Sequence, residues 1–375
     1  MDFDFSNEQR EIRDQARKLL AAECDLKKVR RVLEGEAPYD KALWQKVAEL
    51  GYLGVAIPEQ YGGLGLGAVT LCVIAEELGR VLAPLPVSSS IYLAAEAILQ
   101  SGDESAKLAW LPALAAGEKI GTLAAAEGMT PLAAVEKTQT RYSDGALTGC
   151  KMPVPDGGVA DFAVVSAQAE TAGTRSIGLF LVDLNGPGVT REGLITLDPT
   201  RPQARITFDR APAQPLGRIE DGAGILRRVL NRAAVLVAFE QIGGSDAALS
   251  MSVEYAKIRY AFGRAIGSFQ AIKHKLADMY VKNEVARSNC YYAAWALDSS
   301  EGELPLAAAA ARVAASEAYE FAAKETIQTH GGIGATWEAD MHLFYRRSRL
   351  LMLMLDSPPS WRNQLVGELE RKMAA

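Results

Sequence analysis

Residues that build metal centres and disulfide frameworks are scarce in this chain of 375 residues. The 4 cysteines, Cys24, Cys72, Cys150 and Cys290, are scattered without C-x-x-C spacing, and there are only 3 histidines. Zinc sites and redox motifs need closely spaced Cys and His residues, and small disulfide-rich domains need many more cysteines. The sequence therefore predicts neither a metal site nor a disulfide framework.

Basic charge and long apolar runs are lacking as well. Lys and Arg number 40 against 46 Asp and Glu, so the net charge is −6, which argues against the basic face of a nucleic-acid-binding protein. No apolar run approaches the roughly 18 residues of a membrane-spanning helix. No signal-peptide pattern begins at Met1. We therefore expect a cytoplasmic protein with no membrane span and no nucleic-acid partner.

The chain does show a clear hydrophobic period that changes along its length. Because 49% of its residues are hydrophobic, it has ample material for a core. Ser6 followed by Gln9 has the pattern of a capping box at the start of a first helix. A second helix is predicted from about Lys41 to Leu50, and helical patterns continue beyond it. We predict an N-terminal helical domain over residues 1–118.

The middle of the chain has the pattern of strands. Short apolar runs lie between turns rich in Gly, Pro and Asp, at residues 160–167, 177–183 and 204–209. They predict a small antiparallel β domain over residues 119–218. After it, alanine-rich helical patterns predict a bundle of four or five long helices over residues 219–375. The predicted fold is mainly α with a central β domain, in three domains.

The stretch 255–279, YAKIRYAFGRAIGSFQAIKHKLADM, carries the strongest functional signal. Its apolar residues recur with the three-to-four spacing of a helix, and two glycines interrupt the pattern, so two helices joined by a tight turn are predicted. The turn presents Arg259 and Gln270 close to Phe262. A guanidinium beside an aromatic ring and an amide suits a planar, phosphorylated ligand. An ordinary amphipathic hairpin with solvated charges is the alternative.

The residue pattern of this stretch, R-x-x-F-G-x-x-I-x-x-F-Q followed by L-A-D-M, resembles a motif in the C-terminal domain of the acyl-CoA dehydrogenases. In that family, the Arg, the Phe and the Gln bind the pyrophosphate and adenine side of an FAD held by the neighbouring subunit. The resemblance gives these roles to Arg259, Phe262 and Gln270.

A second family motif, Q-T-H-G-G-I-G, follows in the right order and spacing. The resemblance implies that Gln328, Gly331 and Gly332 touch the same end of FAD. The order of helices, sheet and helix bundle is also that of the acyl-CoA dehydrogenases, so the resemblance covers the whole chain. In the family, the last domains pack as a tetramer, and FAD lies at a dimer interface.

The resemblance implies α,β-dehydrogenation of an acyl-CoA thioester, with FAD as the hydride acceptor and an electron-transfer flavoprotein as the next electron acceptor. A carboxylate base must remove the α-proton, and donors must polarise the thioester carbonyl. The run from Thr336 to His342, T-W-E-x-D-x-H, is similar to a bacterial branch of the family. That branch oxidises bulky CoA thioesters, such as those of steroid side chains, often as heterotetramers.

The chain departs from the family where the flavin ring is held. The family's Thr-Glu-Pro segment is replaced by Ala126-Glu127-Gly128, whose alanine has no hydroxyl to donate. The family's Lys-x-Trp-Ile-Thr strand is replaced by Lys151-Met-Pro-Val-Pro155. Proline supplies neither a hydroxyl nor an N–H. Both departures affect the same half of the cofactor site.

The position of the catalytic base departs as well. Most members place a Glu nine residues after the Arg of an Arg-Asp-Ala segment, and counting from Arg347 leads to Asp356, followed by Ser-Pro-Pro instead of Gly-Thr. Aspartate is shorter by one methylene, and a misplacement of about 1 Å can cost about a hundredfold in rate. Asp356 is therefore a candidate base, and a carboxylate that ends an apolar helix is the alternative. The family's other base position falls here at about Ala233, and Glu240 is interpreted as structural.

The family's FAD-site residues that this chain retains differ from those that it lacks in the subunit whose FAD they would bind. Those retained reach a neighbour's FAD, whereas those missing would hold this subunit's own flavin ring and remove the proton. We hypothesise that the chain is the auxiliary subunit of a hetero-oligomeric acyl-CoA dehydrogenase, with a homologous subunit as partner. A self-sufficient homotetramer that uses Asp356 as base and a non-enzymatic scaffold of the same fold are the alternatives.

Overall fold

The computed structural model describes residues 5–132, 134–171, 173–299 and 302–374. Helices dominate both ends of the chain. The α-helices are α1 (Asn7–Glu23), α2 (Leu26–Leu33), α3 (Lys41–Glu49), α4 (Gly67–Arg80), α5 (Glu96–Gln100), α6 (Glu104–Ala115), α7 (Gly222–Ile258), α8 (Gln270–Ser299), α9 (Leu304–His330), α10 (Met341–Leu353) and α11 (Pro358–Ala374).

Strands occupy the middle of the chain, and one short hairpin separates α7 from α8. A π-helical segment, Ser88–Ala95, precedes α5. The strands are β1 (Gly121–Ala124), β2 (Arg141–Ser143), β3 (Ala146–Pro155), β4 (Phe162–Thr171), β5 (Thr174–Asp183), β6 (Val189–Leu194), β7 (Gln203–Pro212), β8 (Gln214–Pro215), β9 (Tyr260–Ala261) and β10 (Arg264–Ala265).

The first helix begins where its capping pattern predicts. Ser6 Oγ accepts a hydrogen bond from Gln9 N at 3.2 Å, and Gln9 Oε1 accepts one from Ser6 N at 2.9 Å. Each bond satisfies a backbone N–H that has no partner within the helix. The second helix predicted from the sequence is α3, and the left-handed φ of 74° at Gly51 follows its end.

The described residues group into two compact units. One unit is built from the residues up to 30, from 68–83 and from 234 onwards, and it contains α1, α4, most of α7 and α8–α11. The other is built from 31–67 and 84–233 and contains the large sheet. The boundaries of the three domains predicted from the sequence stay predictions.

Two glycines allow α4 and α7 to cross at very close range in the helical unit. A Cβ added at Gly79 would lie 1.9 Å from Glu240 O, and one added at Gly243 would lie 1.9 Å from Glu76 O. Because no side chain fits at those distances, only glycine permits this crossing. The Glu76 side chain then pairs with Arg287 of α8 at 2.7 Å. The crossing brings the buried carboxylate of Glu240 into the core of this unit.

The sheet of the other unit has the strand order β6-β7-β3-β2-β4-β5-β8, with β1 beside β4. Most neighbours are antiparallel, as predicted, but β4 pairs with β1 and with β2 in parallel. The sequence did not predict these two pairings, because a parallel partner is chosen by a long connection and not by a hairpin turn. Phe162, Phe180 and Phe208 are buried in its core, and the Trp110 ring of α6 lies 4.2 Å from that of Phe162.

The order of elements confirms the predicted fold class: helices, a central β sheet, then the five helices α7–α11. The stretch 255–279 contains the end of α7 and the start of α8, as predicted. Within the described ranges, no helix is both long and apolar enough to cross a bilayer.

Candidate functional site

A two-stranded hairpin, β9 and β10, connects α7 to α8. Its two-residue loop is Phe262 and Gly263, with φ of 50° and 78°. Two successive positive φ values define a type I′ turn, in which Asn or Gly is the usual first residue. A bulky residue in this conformation costs on the order of 1–3 kcal/mol, and such strain concentrates at functional sites.

Phe262 projects into solvent from this strained position. It is 96% exposed, and the centres of the Phe262 and Phe269 rings lie 6.4 Å apart in an edge-to-face arrangement. An aromatic side chain held in this way gains little from burial within its own unit. Strain and exposure together favour a ligand that covers the ring.

Two arginines belong to this region, Arg259 just before β9 and Arg264 in β10, and they have different surroundings. The Arg264 guanidinium lies 4.0 Å from the centre of the Phe269 ring, a cation–π arrangement. Arg259 is exposed, and its backbone O accepts from Ile266 N at 2.8 Å. In the described part of the chain, no hydrogen bond or ion pair engages the Arg259 side chain. Its guanidinium donors are therefore available to a ligand.

The second motif lies at the end of α9. Gly331 ends this helix with φ of 64°, and its N–H donates to Gln328 O. Gln328, Gly331 and Gly332 are all exposed. A Cβ added at Gly331 or Gly332 would meet no heavy atom within 4 Å. The open space over these glycines permits a close approach of another molecule to the backbone.

Contacts between α7 and α9 bring the two motifs together. The rings of Tyr255 and His330 stack at 4.2 Å with an angle of 28°. One turn of α7 separates Tyr255 from Arg259, and His330 directly precedes Gly331. Further along the same contact, Thr326 Oγ1 donates to Ala248 O at 3.0 Å. The exposed guanidinium, aromatic ring and glycines therefore lie at the same end of the helical unit.

In the unit that contains the sheet, two segments correspond to the family's flavin-ring segments: residues 126–128 and 151–155. The backbones of these two segments are hydrogen-bonded to each other. Met152 N donates to Ala126 O at 2.9 Å, and Gly128 N donates to Met152 O at 2.7 Å. These backbone N–H groups are satisfied internally and do not point to a ligand. The prolines on either side of Val154 have no N–H to offer.

A buried ion pair fixes the same segments. Lys151 Nζ lies 2.7 Å from Glu127 Oε1, and the lysine side chain is fully buried. Glu127 also accepts from Thr140 N at 3.0 Å, Thr140 Oγ1 at 2.7 Å and Gln139 N at 2.6 Å. Burial lowers the pKa of Lys151 to about 8, although Glu127 opposes this change. The pKa of Glu127 is lowered, because its bonds to Lys151 and Thr140 outweigh burial.

A small cavity lies beside Glu127. Its volume is about 10 Å³, and Glu127, Pro131, Val135 and Leu226 are among the residues that line it. A volume of roughly 10–15 Å³ holds one water molecule. As it stands, this cavity admits no aromatic ring.

Asp356 lies in the connection between α10 and α11. Leu355 and Asp356 have positive φ, 63° and 107°. The Asp356 carboxylate accepts from Ser357 N at 2.7 Å and from Ser360 Oγ at 2.9 Å, so it binds the first turn of α11. A carboxylate at this place stabilises a helix start. These contacts support a structural role for Asp356, and its role as a base stays a prediction.

The second carboxylate considered from the sequence is buried in an ion pair. Glu240 Oε1 lies 3.6 Å from an Nη of Arg347, and both side chains are almost fully buried. Arg347 also donates to Leu82 O at 3.2 Å. Ala233, the other base position of the family, is buried and has no titratable group. This arrangement supports a structural role for Glu240.

Comparisons with known proteins match the chain along most of its length. Residues 6–118 match the model of the acyl-CoA dehydrogenase N-terminal domain, and residues 220–354 match that of the C-terminal domain. The acyl-CoA dehydrogenase IpdE2 of Mycobacterium tuberculosis is 34% identical over 365 residues, 96% of this chain and 97% of that protein. The chain belongs to the acyl-CoA dehydrogenase family.

Solved structures show the same family likeness. The Tcur3481-Tcur3483 steroid ACAD has a chain that is 31% identical with a TM-score of 0.88, covering 98% of this chain and 99% of that one. The ChsE4-ChsE5 complex from Mycobacterium tuberculosis has a chain that is 26% identical with a TM-score of 0.89, covering 99% of each. Acyl-CoA dehydrogenases are FAD-dependent enzymes, which confirms the family and the cofactor expected from the sequence.

The residues at the end of the helical unit fit the ADP half of FAD. Arg259 offers free guanidinium donors to phosphate oxygens, and Phe262 offers an exposed ring to a purine. Gln270 and Gln328 add exposed amides. The glycine pair 331–332 leaves room for a pyrophosphate beside the backbone. FAD bound there supplies hydride-accepting chemistry through its ring, and these six residues would hold its other end. Their individual roles stay predictions.

Gly332→Ala tests whether a ligand approaches this backbone. We expect the variant to fold like the wild type, because the added Cβ meets nothing within 4 Å. FAD binding should weaken, since the methyl group occupies the space over the glycine. Gly334→Ala is the matched control: its Cβ would lie 2.4 Å from Ile327 O, so it should lower the thermal unfolding temperature. Unchanged FAD affinity in folded Gly332→Ala would contradict the assignment.

The two segments of the sheet unit that resemble the family's flavin-ring segments offer few donors to a flavin ring. The backbone donors of Gly128 and Met152 are used between the segments, and Ala126 has no hydroxyl.

One cluster near the glycine motif was missed by the sequence reasoning. Arg30 donates to Trp337 O at 2.7 Å and to Asp340 Oδ1 at 2.7 Å, across a separation of 307 residues in the first case. The half-exposed Trp337 ring stacks on His342 at 4.8 Å, and Arg346 lies 5.4 Å from its centre. Burial lowers the pKa of His342. No local pattern marks Arg30, because its partners lie at the far end of the chain.

Proposed function

We propose that this chain is the auxiliary subunit of a hetero-oligomeric acyl-CoA dehydrogenase. It would complete the ADP half of an FAD site whose flavin ring, base and thioester pocket belong to a homologous partner subunit. The observation that carries this proposal is the contrast between the exposed, unengaged Arg259 and the self-bonded segments around Glu127. The first suits a neighbour's cofactor, and the second has its backbone donors engaged and offers few to a cofactor of the chain's own.

Two similar structures support a two-component assembly. The steroid ACAD carries the names of two components, Tcur3481 and Tcur3483, and the ChsE4-ChsE5 structure is a complex of two differently named proteins. By analogy, the substrate of the assembly would be a bulky acyl-CoA thioester of the steroid type. An electron-transfer flavoprotein would accept the electrons. The interface should be large and apolar, as in other obligate complexes.

In this proposal the chain binds and orients and does not carry out proton transfer. Arg259 would neutralise pyrophosphate charge, and Phe262 would cover the adenine. Tyr255 and His330, through their ring contact, would hold the two loops at a fixed separation. A fixed cofactor end limits the movement of the flavin relative to the thioester, and small misplacements are costly in rate.

Flavin stoichiometry tests the proposal. The chain should be purified alone and after co-expression with a homologous dehydrogenase chain, and its flavin absorbance compared with its protein content. We expect almost no FAD on the chain alone and about one FAD per pair of unlike chains. About one FAD per chain in the isolated protein would contradict the proposal and favour the homotetramer that uses Asp356.

Asp356→Asn separates the two enzymatic interpretations. Asparagine is a good helix-capping residue, so we expect a loss of stability no larger than about 1 kcal/mol. Because the proposal assigns the base to the partner subunit, we also expect the complex to stay active. The measurement is the rate of thioester dehydrogenation by the co-expressed complex, with wild type as reference. A fall of several orders of magnitude at normal FAD content would identify Asp356 as the base.

A further inference from the structure

The loop that follows the glycine motif has no regular structure of its own. Residues 336–340 connect the 3₁₀ turn Gly331–Ala335 to α10 and contain no helix or strand. Glu338 is exposed, and the Trp337 side chain is half-exposed. Backbone carbonyls in such a segment lack the partners that a helix or strand provides. The position of this loop therefore depends on contacts from elsewhere in the chain.

One guanidinium contacts four consecutive residues of this loop. Arg30 Nη1 donates to Trp337 O at 2.7 Å, and Arg30 Nη2 donates to Asp340 Oδ1 at 2.7 Å. Arg30 Nη2 also lies 3.3 Å from Ala339 O and 3.5 Å from Glu338 O. The planar fork of an arginine can reach several acceptors at once, which a single ammonium cannot. Arg30 and the loop belong to the same compact unit, and the arginine side chain is only 18% exposed.

His342 holds the same carbonyl from α10. Arg346 Nε lies 3.3 Å from His342 Nδ1, and an arginine N–H can only donate, so Nδ1 accepts and the ring proton lies on Nε2. Nε2 then donates to Trp337 O at 3.1 Å. The His342 ring also stacks on that of Trp337 at 4.8 Å. Trp337 is therefore fixed through both its backbone and its ring.

These contacts reach the glycine motif through one short connection. Thr336 N and Thr336 Oγ1 both donate to Ile333 O, at 3.0 and 2.9 Å, and attach the end of the 3₁₀ turn to the residue before Trp337. At its other end, the turn directly continues α9. Gly331 and Gly332 lie between these two attachments, and a Cβ built on either would meet no heavy atom within 4 Å. Because nothing packs against that face, the position of the glycines depends on the two attachments.

We propose that Arg30 is a positioning residue for cofactor binding, and that the T-W-E-x-D-x-H motif carries its acceptors. By holding residues 337–340, Arg30 would keep Gly331 and Gly332 where a pyrophosphate can approach their backbone. The roles of Trp337 and Asp340 then need no contact with a ligand. The inference rests on the proposed function, because it assumes that the glycine motif binds FAD.

Arg30→Ala tests this role in the co-expressed complex, by FAD titration of its apo form. We expect FAD affinity to fall about threefold to tenfold, because a residue without ligand contact acts only through the position of the glycines. Arg30→Lys keeps a charge for Asp340 but cannot reach all four acceptors, so its affinity should lie between those of wild type and Arg30→Ala. Asp340→Ala removes one acceptor and should weaken binding by a smaller factor, even if Arg30→Ala proves unstable.

Glu338→Ala is the matched control in the same loop. Its exposed side chain makes no hydrogen bond or ion pair with any described residue, so FAD affinity should stay unchanged. A lower thermal unfolding temperature of Arg30→Ala with unchanged FAD affinity would make Arg30 a structural residue and overturn the proposal.

A double variant shows whether Arg30 acts through the glycines. Arg30→Ala combined with Gly332→Ala should lose less affinity than the product of the two single losses, because the second change affects a contact that is already weakened. Single losses that simply multiply would contradict an action through the glycine turn.

Arg259→Ala separates failure of this inference from failure of the proposed function. If Arg259→Ala weakens FAD binding and neither Arg30→Ala nor Asp340→Ala does, the inference alone fails. If none of these variants changes FAD affinity, the proposed function fails, and the role of Arg30 in cofactor binding fails with it.

Discussion

Arg259→Ala is expected to weaken FAD binding by the co-purified complex by roughly ten- to a hundredfold. A hydrogen bond to a charged group contributes about 1.5–3 kcal/mol, and about 1.4 kcal/mol is a factor of ten in affinity. Arg259 is exposed and unengaged within the described chain, so its loss removes no internal contact and should leave stability nearly unchanged. The measurement is FAD affinity by titration of the apo complex.

Two controls make the result specific. Arg259→Lys keeps the charge but cannot form a bidentate contact, so its affinity should fall between those of wild type and Arg259→Ala. Arg371→Ala removes another exposed arginine, which pairs with Glu368 at 2.7 Å in the last helix, and should leave FAD affinity unchanged. If Arg259→Ala retained normal FAD affinity, the proposal that this chain completes a partner's FAD site would fail. The alternative of a non-enzymatic scaffold would then be favoured.

Glu127→Gln should destabilise the chain strongly, by about 3 kcal/mol or more. Lys151 is fully buried, and this substitution removes its counter-charge. The remaining contacts of its Nζ are neutral: Ala125 O at 3.3 Å and Ser166 Oγ at 3.2 Å. Urea unfolding at neutral pH measures the effect.

Two further variants test whether the unpaired charge causes this loss of stability. They are Lys151→Met and the double variant that combines Glu127→Gln with Lys151→Met. Lys151→Met should cost less than Glu127→Gln, because Glu127 keeps three hydrogen bonds from Gln139 and Thr140. The double variant should be more stable than Glu127→Gln alone, since no buried charge is left unpaired. A double variant whose loss equals the sum of the two single losses would show that the two residues do not interact.

The same pair predicts a pH dependence. The pKa of Lys151 is lowered from 10.5 to about 8, so between these values the unfolded state binds more protons than the folded state. The contribution of this group to the free energy of unfolding therefore rises with pH from about 8 to 10.5. The double variant has no lysine to titrate at this position. The free energy of unfolding of wild type should therefore rise relative to that of the double variant between pH about 8 and 10.5.

Much of the local structure could be predicted from the sequence because its causes lie within a few residues. The capping box of Ser6 and Gln9 and the tight turn before α8 depend on neighbouring side chains and backbone. The strand runs follow from alternation and turn residues. The parallel pairings of β4 were not predicted, because their partners are brought together by long connections.

The candidate site, too, could be predicted from the sequence only in part. The resemblance to the family motifs selected Arg259, Phe262 and the glycine pair, since each motif lies in a short continuous segment. It could not show that Phe262 is strained and exposed, or that the Tyr255 and His330 rings join the two segments. Nor could it show that Asp356 binds the first turn of α11 or that Arg30 contacts Trp337.

The sequence by itself determined the fold class and the family, because hydrophobic period and family motifs are properties of short segments. The residues proposed to reach a neighbour's FAD come from the same motifs. Only the tertiary structure decided which polar groups are engaged. It paired Lys151 with Glu127, left Arg259 without a described partner, and brought Arg30 to the Trp337 carbonyl. Whether a charge is neutralised depends on groups that packing brings from distant parts of the chain, and no local pattern contains that information.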